Sequence, residues 1–413
     1  MLSDNVYRRD FLKLAAAGAL GASQSMWFDV LASRAASAAK DGVKTKSAIL
    51  LWMAGGPAQS HTWDVKDGNS YSQIATAASG VKISEHLPSV AKEMKDMAII
   101  RSMSTGDGNH QSGNYLMHTG FRIGSGGGLV HPSLGAMVAY KLGKDEDELP
   151  NFVSVGGTRG PGHLGPKYAP LQVSANSKGL PDIRAAGSQS EVDANASLIT
   201  ELNDSFLKDY QAPAINAQKT TLQRAVALMK SNKTKAFNTD EEPASARDAY
   251  GKSGFGAGCL LARRLIEGGV KFVEVSLGGW DTHQDADGKV KNLSGSLDPA
   301  FAQLMKDLRE RGLLDSTLII WMGEFGRGPG NGSNHYARCW SSVLAGGGIK
   351  GGQVIGNSGA KGANPEDHPV AAGDFFATIC KIVGIDYTKS WITRGSRPMD
   401  MVAKGAKPVN QLI

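Results

Sequence analysis

The sequence has few cysteines and, beyond its first 40 positions, no long apolar run. Its 413 residues include only 3 cysteines, which are too few and too scattered for a disulfide framework or a CxxC metal site. At most one disulfide could form, so the cysteines leave the redox compartment open. Because no later stretch approaches ~18 consecutive apolar residues, we expect no integral membrane segment in the mature chain.

The sequence also lacks blocks of like charge. Lysine and arginine number 45, aspartate and glutamate number 39, and the net charge of +6 is spread along the chain. This pattern argues against a nucleic-acid-binding protein, in which basic residues cluster. The hydrophobic fraction of 41% is enough to bury a sizeable core, which excludes a wholly disordered protein. The length favours two or three domains of about 150 residues, or one large α/β domain with insertions.

The first 40 residues resemble a signal peptide of the bacterial twin-arginine translocation (Tat) pathway. Arg8 and Arg9 begin the block RRDFLK, a weakly apolar stretch covers residues 14–22, and small residues suited to cleavage lie at 36–38. The alternative is an ordinary amphipathic N-terminal helix. The Tat translocon exports folded proteins. If residues 1–40 are its signal peptide, we expect them to be removed and the mature chain to be periplasmic or secreted.

Glycine is abundant, with 52 residues and no G-X-Y period, and many glycines follow short apolar runs. Such runs predict strands at residues 47–53, 97–103, 152–155, 270–277, 317–322 and 340–345. Apolar residues at helical spacing between them predict helices at residues 87–95, 133–142, 257–267, 299–311 and 370–383. This alternation predicts an α/β fold with a parallel or mixed sheet. The polar segment 174–253, helical over 198–230, is interpreted as an inserted helical subdomain or lid.

Histidine and carboxylate side chains follow four of the predicted strands. The first strand is followed by His61 and Asp64, the second by Asn109 and His110, the strand ending at residue 277 by Asp281 and His283, and the strand ending at residue 322 by Glu324 and His335. Each residue alone is more often an ordinary loop residue. Because ligands bind beyond the carboxyl ends of parallel strands, four such loops together predict one shared polar site that binds metal.

Five segments of the sequence resemble those of a known family. They are LLWMAGGPAQSHTWD, NHQSGNYLMHTG, FGAGCLLARRLIEGGVKFVEV, GGWDTH and MGEFGR…NHYARCWSSVLAGGGIKGGQVIG. In this order and spacing they resemble the domain-of-unknown-function 1501 (DUF1501) proteins of the alkaline phosphatase-like, or sulfatase-like, superfamily. The resemblance covers residue 47 to the end of the chain. It implies an α/β sandwich at residues 45–413, built on a central, mostly parallel sheet flanked by helices. It also implies a metal-dependent hydrolytic site at the carboxyl edge of that sheet.

The resemblance also implies roles for individual residues. Asp281 and His283 match the aspartate–histidine metal pair of the superfamily, and Glu324 and His335 match its next acid and histidine. Asp64 matches the second acid of the first loop. His110 lies ten residues before Gly120 of a Thr-Gly pair, which is the position of the sulfatase nucleophile.

Three positions depart from the family pattern. His61 and Asn334 stand where aspartate is usual, and His110 is not a hydroxyl or thiol nucleophile, although histidine occurs there in the family. Histidine can ligate metal or accept a phosphoryl group. The lost carboxylates reduce the negative charge that would hold two divalent ions, so a one-metal site or a protein without catalysis is compatible with the sequence.

These observations lead to two hypotheses about function. The first is a metal-dependent hydrolase of small phosphate or sulfate esters, with a divalent ion (zinc, manganese or calcium) and attack by His110 or a metal-bound water. The predicted metal ligands are His61, Asp64, Asp281, His283, Glu324 and His335. The second is an exported binding or assembly protein that keeps the fold and acts on an envelope partner.

Overall fold

The structure is a computed structural model that describes residues 45–413, apart from 176–178, 181–187, 210–212 and 393–396. The predicted Tat signal peptide at residues 1–40 lies outside the described residues, and it stays a prediction. None of the described helices is long and apolar enough to cross a membrane. Within the described residues all three cysteines are buried and free.

The strands confirm the predicted α/β architecture. In chain order they are β1 (Ser47–Met53), β2 (Gln73–Ala75), β3 (Lys82–Ser84), β4 (Met97–Met103), β5 (Phe152–Val155), β6 (Leu171–Val173), β7 (Phe272–Leu277), β8 (Thr317–Met322), β9 (Gly326–Arg327), β10 (His335–Tyr336), β11 (Trp340–Gly346), β12 (Gln353–Ile355), β13 (Ser390–Ile392) and β14 (Pro398–Asp400). Among the described residues, eight strands form one sheet in the order β12-β4-β11-β8-β1-β7-β5-β6. Only β11 runs antiparallel to its neighbours, so the sheet is mostly parallel.

Helices cover both faces of this sheet. The α-helices are α1 (His110–Thr119), α2 (Leu134–Leu142), α3 (Gln189–Asp209), α4 (Pro213–Lys230), α5 (Ala244–Ala249), α6 (Gly254–Gly268), α7 (Ala286–Glu310) and α8 (Ala372–Ile382). Successive residues of β1 point to opposite faces. Ile49 and Leu51 belong to the apolar cluster that includes α6 and α7, and Leu50 and Trp52 belong to the cluster that includes α1, α2 and α8. The continuous apolar run of β1 therefore results from burial on both faces.

Two helices differ from their predicted form. The helix predicted at residues 87–95 is a seven-residue 3₁₀ helix, Val90–Asp96. The helix predicted to begin at Pro299 begins instead at Ala286, and Pro299 lies inside it. The apolar residues at helical spacing that predict this helix lie in its second half, because residues 286–296 are mostly polar or glycine. In the predicted insertion, α3 and α4 are the long helices, and they pack against each other.

The topology places four loops at one edge of the sheet. β7 and β8 both pair in parallel with β1, and β4 has the same direction because β11 lies antiparallel between β4 and β8. The carboxyl ends of β1, β4, β7 and β8 therefore meet at the same edge. These are the strands whose following loops carry the predicted site residues.

Candidate metal centre

Four of the predicted site residues lie together at this edge. One possible ligand atom from each of His110, Asp281, His283 and His335 lies within 4.8 Å of the others. Asp281 Oδ1 is 3.0 Å from His283 Nε2, 3.3 Å from His110 Nε2 and 3.4 Å from His335 Nε2. The Nε2 atoms of His283 and His335 are 3.1 Å apart. The Asp281 and His283 side chains are about half exposed, so solvent reaches the cluster.

The start of α1 fixes the place of His110. The side chain of Asn109 accepts hydrogen bonds from the backbone N–H groups of Gln111 and Ser112, so Asn109 is the N-cap of the helix. His110 is the first helical residue. Asn109 thus supports the site by ending the loop after β4, and its side chain is committed to the helix.

In His110 and His335 the second ring nitrogen, Nδ1, is also hydrogen-bonded. Nδ1 of His335 donates to the carbonyl oxygen of Gly108 at 2.7 Å, and Nδ1 of His110 bonds Oε1 of Glu324 at 2.7 Å. A carbonyl oxygen and a carboxylate accept hydrogen bonds, so Nδ1 is the donor in each histidine and Nε2 is the atom turned toward Asp281. Nε2 of His110 is buried and has no hydrogen-bond partner among the described residues.

Glu324 is itself held in place. It follows β8, its side chain is 5% exposed, and the backbone N–H of Gly55 donates to both carboxylate oxygens at 3.0 and 3.2 Å. Glu324 therefore orients His110 from behind and lies outside the four-residue group.

Sequence reasoning missed Arg327. This fully buried guanidinium donates to the carbonyl oxygens of Gly55, Gly56 and Ser333 and to Asp281 Oδ1. Burial opposes ionisation of Asp281, but the hydrogen bond and charge of Arg327 outweigh it and lower the pKa of Asp281 to about 2. Arg327 ends the MGEFGR segment, so its place in that segment was the available signal.

His61 and Asp64 lie outside the group and have other partners. His61 Nε2 is 2.8 Å from Oδ1 of Asp287, and its Nδ1 is 2.9 Å from Oγ of Ser60. Burial lowers the pKa of His61, although Asp287 favours its protonated form.

The carboxylate of Asp64 is buried between cationic groups. It lies 2.8 Å from Lys66 Nζ and 3.3 Å from Arg101 Nε, and it also accepts a hydrogen bond from Ser358. The structure does not test the predicted metal-ligand roles of His61, Asp64 and Glu324, which stay predictions.

The four-residue group fits a divalent cation. Metal–ligand bonds of ~2.0–2.2 Å in tetrahedral geometry place neighbouring ligand atoms roughly 3.3–3.6 Å apart, close to the separations around Asp281 Oδ1. The hydrogen bond from Nδ1 of His335 to a backbone carbonyl oxygen is also typical of a histidine that ligates a metal through Nε2. A set of three imidazoles and one carboxylate suits zinc or a similar transition metal better than calcium, which prefers six to eight oxygen ligands.

Comparison with known proteins gives a family match. The family model described as "Protein of unknown function (DUF1501)" matches residues 45–413. No curated protein sequence matches the chain.

Several solved structures are distantly similar. A sulfatase from Pseudoalteromonas sp. has 12% identity and a TM-score of 0.42, with 88% of this chain and 72% of that chain covered. A TAB5 alkaline phosphatase mutant with bound magnesium has 12% identity and a TM-score of 0.39, with 83% and 99% covered. A phosphonate monoester hydrolase of Agrobacterium radiobacter has 13% identity and a TM-score of 0.33, with 82% and 74% covered. These likenesses are too distant to assign an activity, which we infer from the side chains themselves.

Proposed function

The chain belongs to the DUF1501 family, and we propose that it is an exported, metal-dependent hydrolase of phosphate or sulfate esters. The observation that carries this proposal is the convergence of three histidine Nε2 atoms on one carboxylate oxygen at a solvent-accessible sheet edge. Such a group can bind a metal ion, and a bound metal ion polarises the oxygen of an anionic ester.

We assign three of the four side chains as metal ligands and the fourth as the side chain that reacts with the substrate or with water. Catalytic zinc sites keep three protein ligands and one open position. We assign Asp281, His283 and His335 as these ligands, and a bound divalent ion would polarise an ester oxygen. Arg327 keeps Asp281 ionised, because it lowers the pKa of that carboxyl to about 2.

The fourth side chain, His110, supplies the reactive nitrogen. Its Nε2 faces the ligand group, while its Nδ1 is hydrogen-bonded to Glu324. This carboxylate also stabilises positive charge on the imidazole when Nε2 bonds to a proton or to the central atom of the ester. The Glu324–His110 pair thus supports one of two steps. Either His110 Nε2 attacks the phosphorus or sulfur, the bond to the alcohol breaks, and water later removes the group from Nε2, or His110 takes a proton from a water that displaces the alcohol directly.

The test combines metal reconstitution with hydrolysis assays. The purified mature chain, supplied in turn with zinc, manganese and calcium, should hydrolyse an aryl phosphate or an aryl sulfate. His283→Ala should abolish this activity, and His368→Ala, which changes an exposed histidine paired with Asp367, should not. A chain that stays inert with every metal and both esters would overturn the proposal and favour a binding protein.

Export is the second part of the proposal, and it is supported by the twin-arginine segment. Replacing Arg8 and Arg9 by lysine keeps the charge but removes the planar guanidinium groups. The precursor should then accumulate in the cytoplasm, whereas the wild-type chain should be cleaved near Ala38. Cell fractionation and N-terminal mass spectrometry check this, and an intact Met1 in the exported wild-type pool would contradict it.

A further inference from the structure

An arginine lies against the helix that carries His110. Arg159, in the loop after β5, donates from Nε to Oδ1 of Asn114 at 2.6 Å and from Nη2 to the carbonyl oxygen of Gln111 at 3.2 Å. Gln111 follows His110 directly, and Asn114 lies one turn further on the same helix face as His110. The guanidinium therefore contacts the first turns of the helix that begins at His110.

This arginine has no carboxylate partner in the part of the chain that the structure describes. It has five N–H donors, and α1 uses only some of them. Its other contact is the ring of Tyr115, whose centroid is 5.2 Å from Cζ. Burial lowers the pKa of Arg159 below its ordinary value. A partly dehydrated cation without an anion is suited to bind an anionic ligand.

A buried network holds the loop that carries Arg159. Thr158, the preceding residue, donates to one oxygen of Glu274 in β7, and the other oxygen of Glu274 lies 3.1 Å from His118 Nε2 in α1. Glu274 and His118 are both almost fully buried. The loop is thus tied to β7, which precedes Asp281, and to α1, which begins with His110.

We propose that Arg159 recognises the tetrahedral anionic group of the substrate, with its unused N–H donors bound to the non-bridging oxygens of a phosphate or sulfate ester. This inference rests on the proposed function. A planar guanidinium matches two such oxygens at once, which a lysine ammonium does not. Arg159 is therefore a specificity-determining residue, separate from the metal ligands and from His110.

The experiment measures binding of inorganic phosphate and inorganic sulfate by isothermal titration, with and without added zinc. Arg159→Gln should weaken binding of the preferred anion about ten- to hundred-fold, as expected for lost charge-assisted hydrogen bonds. Arg159→Lys should recover part of the loss. The matched control is Arg122→Gln, because Arg122 is an exposed arginine that contacts Thr105 and Asp107 in the loop after β4, and its effect should stay within about twofold.

Metal content and thermal melting are measured for every variant. Unchanged anion affinity in Arg159→Gln, at wild-type metal content and melting temperature, overturns the inference. An equal loss in Arg122→Gln also overturns it, because the effect would then come from general positive charge. A wild-type chain that takes up no metal contradicts the proposed function, whereas the titrations without zinc still test Arg159.

Discussion

At the residue scale, the hydrogen bond between Glu324 and His110 controls the reactive nitrogen. Glu324→Gln removes the charge that holds the Nδ1 proton and stabilises the imidazolium. We expect kcat to fall about 10–100-fold, the usual cost of losing a partner behind a functional histidine, with metal content retained. Initial rates and metal analysis check this. Glu310→Gln, which changes an exposed carboxylate near Lys306, is the matched control. An unchanged kcat in Glu324→Gln would refute this role.

The sequence predicts these residues only in part. Asp281 and His283 are predictable because they lie two apart directly after an apolar strand, and His110 and His335 because they follow two other strands. Arg327 was missed because its role depends on carbonyl groups and a carboxylate from other segments. The partners of His61 and Asp64 were missed for the same reason.

At the element scale, α1 positions His110 through its N-cap. Asn109→Ala removes the acceptor for two backbone N–H groups, and the free energy of unfolding should fall by about 1 kcal/mol. Asn109→Ser keeps a capping oxygen and should recover most of this loss. Chemical denaturation of the three proteins checks the order. Equal stability of the alanine and serine variants would show that the cap contributes nothing.

The sequence predicts strands best where every residue of the strand is buried. β1 and β8 are buried along their whole length, so burial on both faces produces the nearly continuous apolar runs that identify them as strands. The first half of α7 was missed because its residues 286–296 are mostly polar or glycine. Its helical state there depends on packing of Val290 and other buried residues, which periodicity alone does not reveal.

At the scale of the whole molecule, a charge network joins the segment after α4 to α6. Glu242 lies 3.0 Å from Arg263 Nη1 and 2.5 Å from Arg264 Nη1. Burial opposes ionisation of Glu242, but the hydrogen bonds and charges of these two arginines outweigh it and lower its pKa. Ionised Glu242 therefore stabilises the fold above its unfolded pKa of ~4.3, and this stabilisation is lost as pH falls through the lower folded pKa.

Glu242→Gln tests this pH dependence. The variant should be about 1–3 kcal/mol less stable than the wild type at pH 7, because hydrogen bonds to charged partners are lost. The difference should shrink on acidification below pH ~4.3, because Glu242 of the unfolded wild-type chain then binds a proton more readily than Glu242 of the folded chain. Thermal melting of both proteins across this range checks the trend. A stability difference that stays constant down to pH 3 would contradict it.

The predicted site is also a property of the whole molecule. His110 follows β4 and Asp281 follows β7, yet their side chains are 3.3 Å apart because parallel strands bring these loops to one edge. The sequence predicts that edge from the order of strands and polar loops. It does not predict which side chains meet there, because the register of the strands and the paths of the loops depend on contacts between distant segments.

The central claim is that Asp281, His283 and His335 hold a divalent ion beside His110. Native mass spectrometry of the folded mature chain, after exposure to zinc and removal of excess metal, tests it most directly. The account predicts one tightly held ion per chain, lost in His335→Ala and retained in His368→Ala. A wild-type chain that retains no zinc, or a His335→Ala variant that retains it at the wild-type level, would contradict the account.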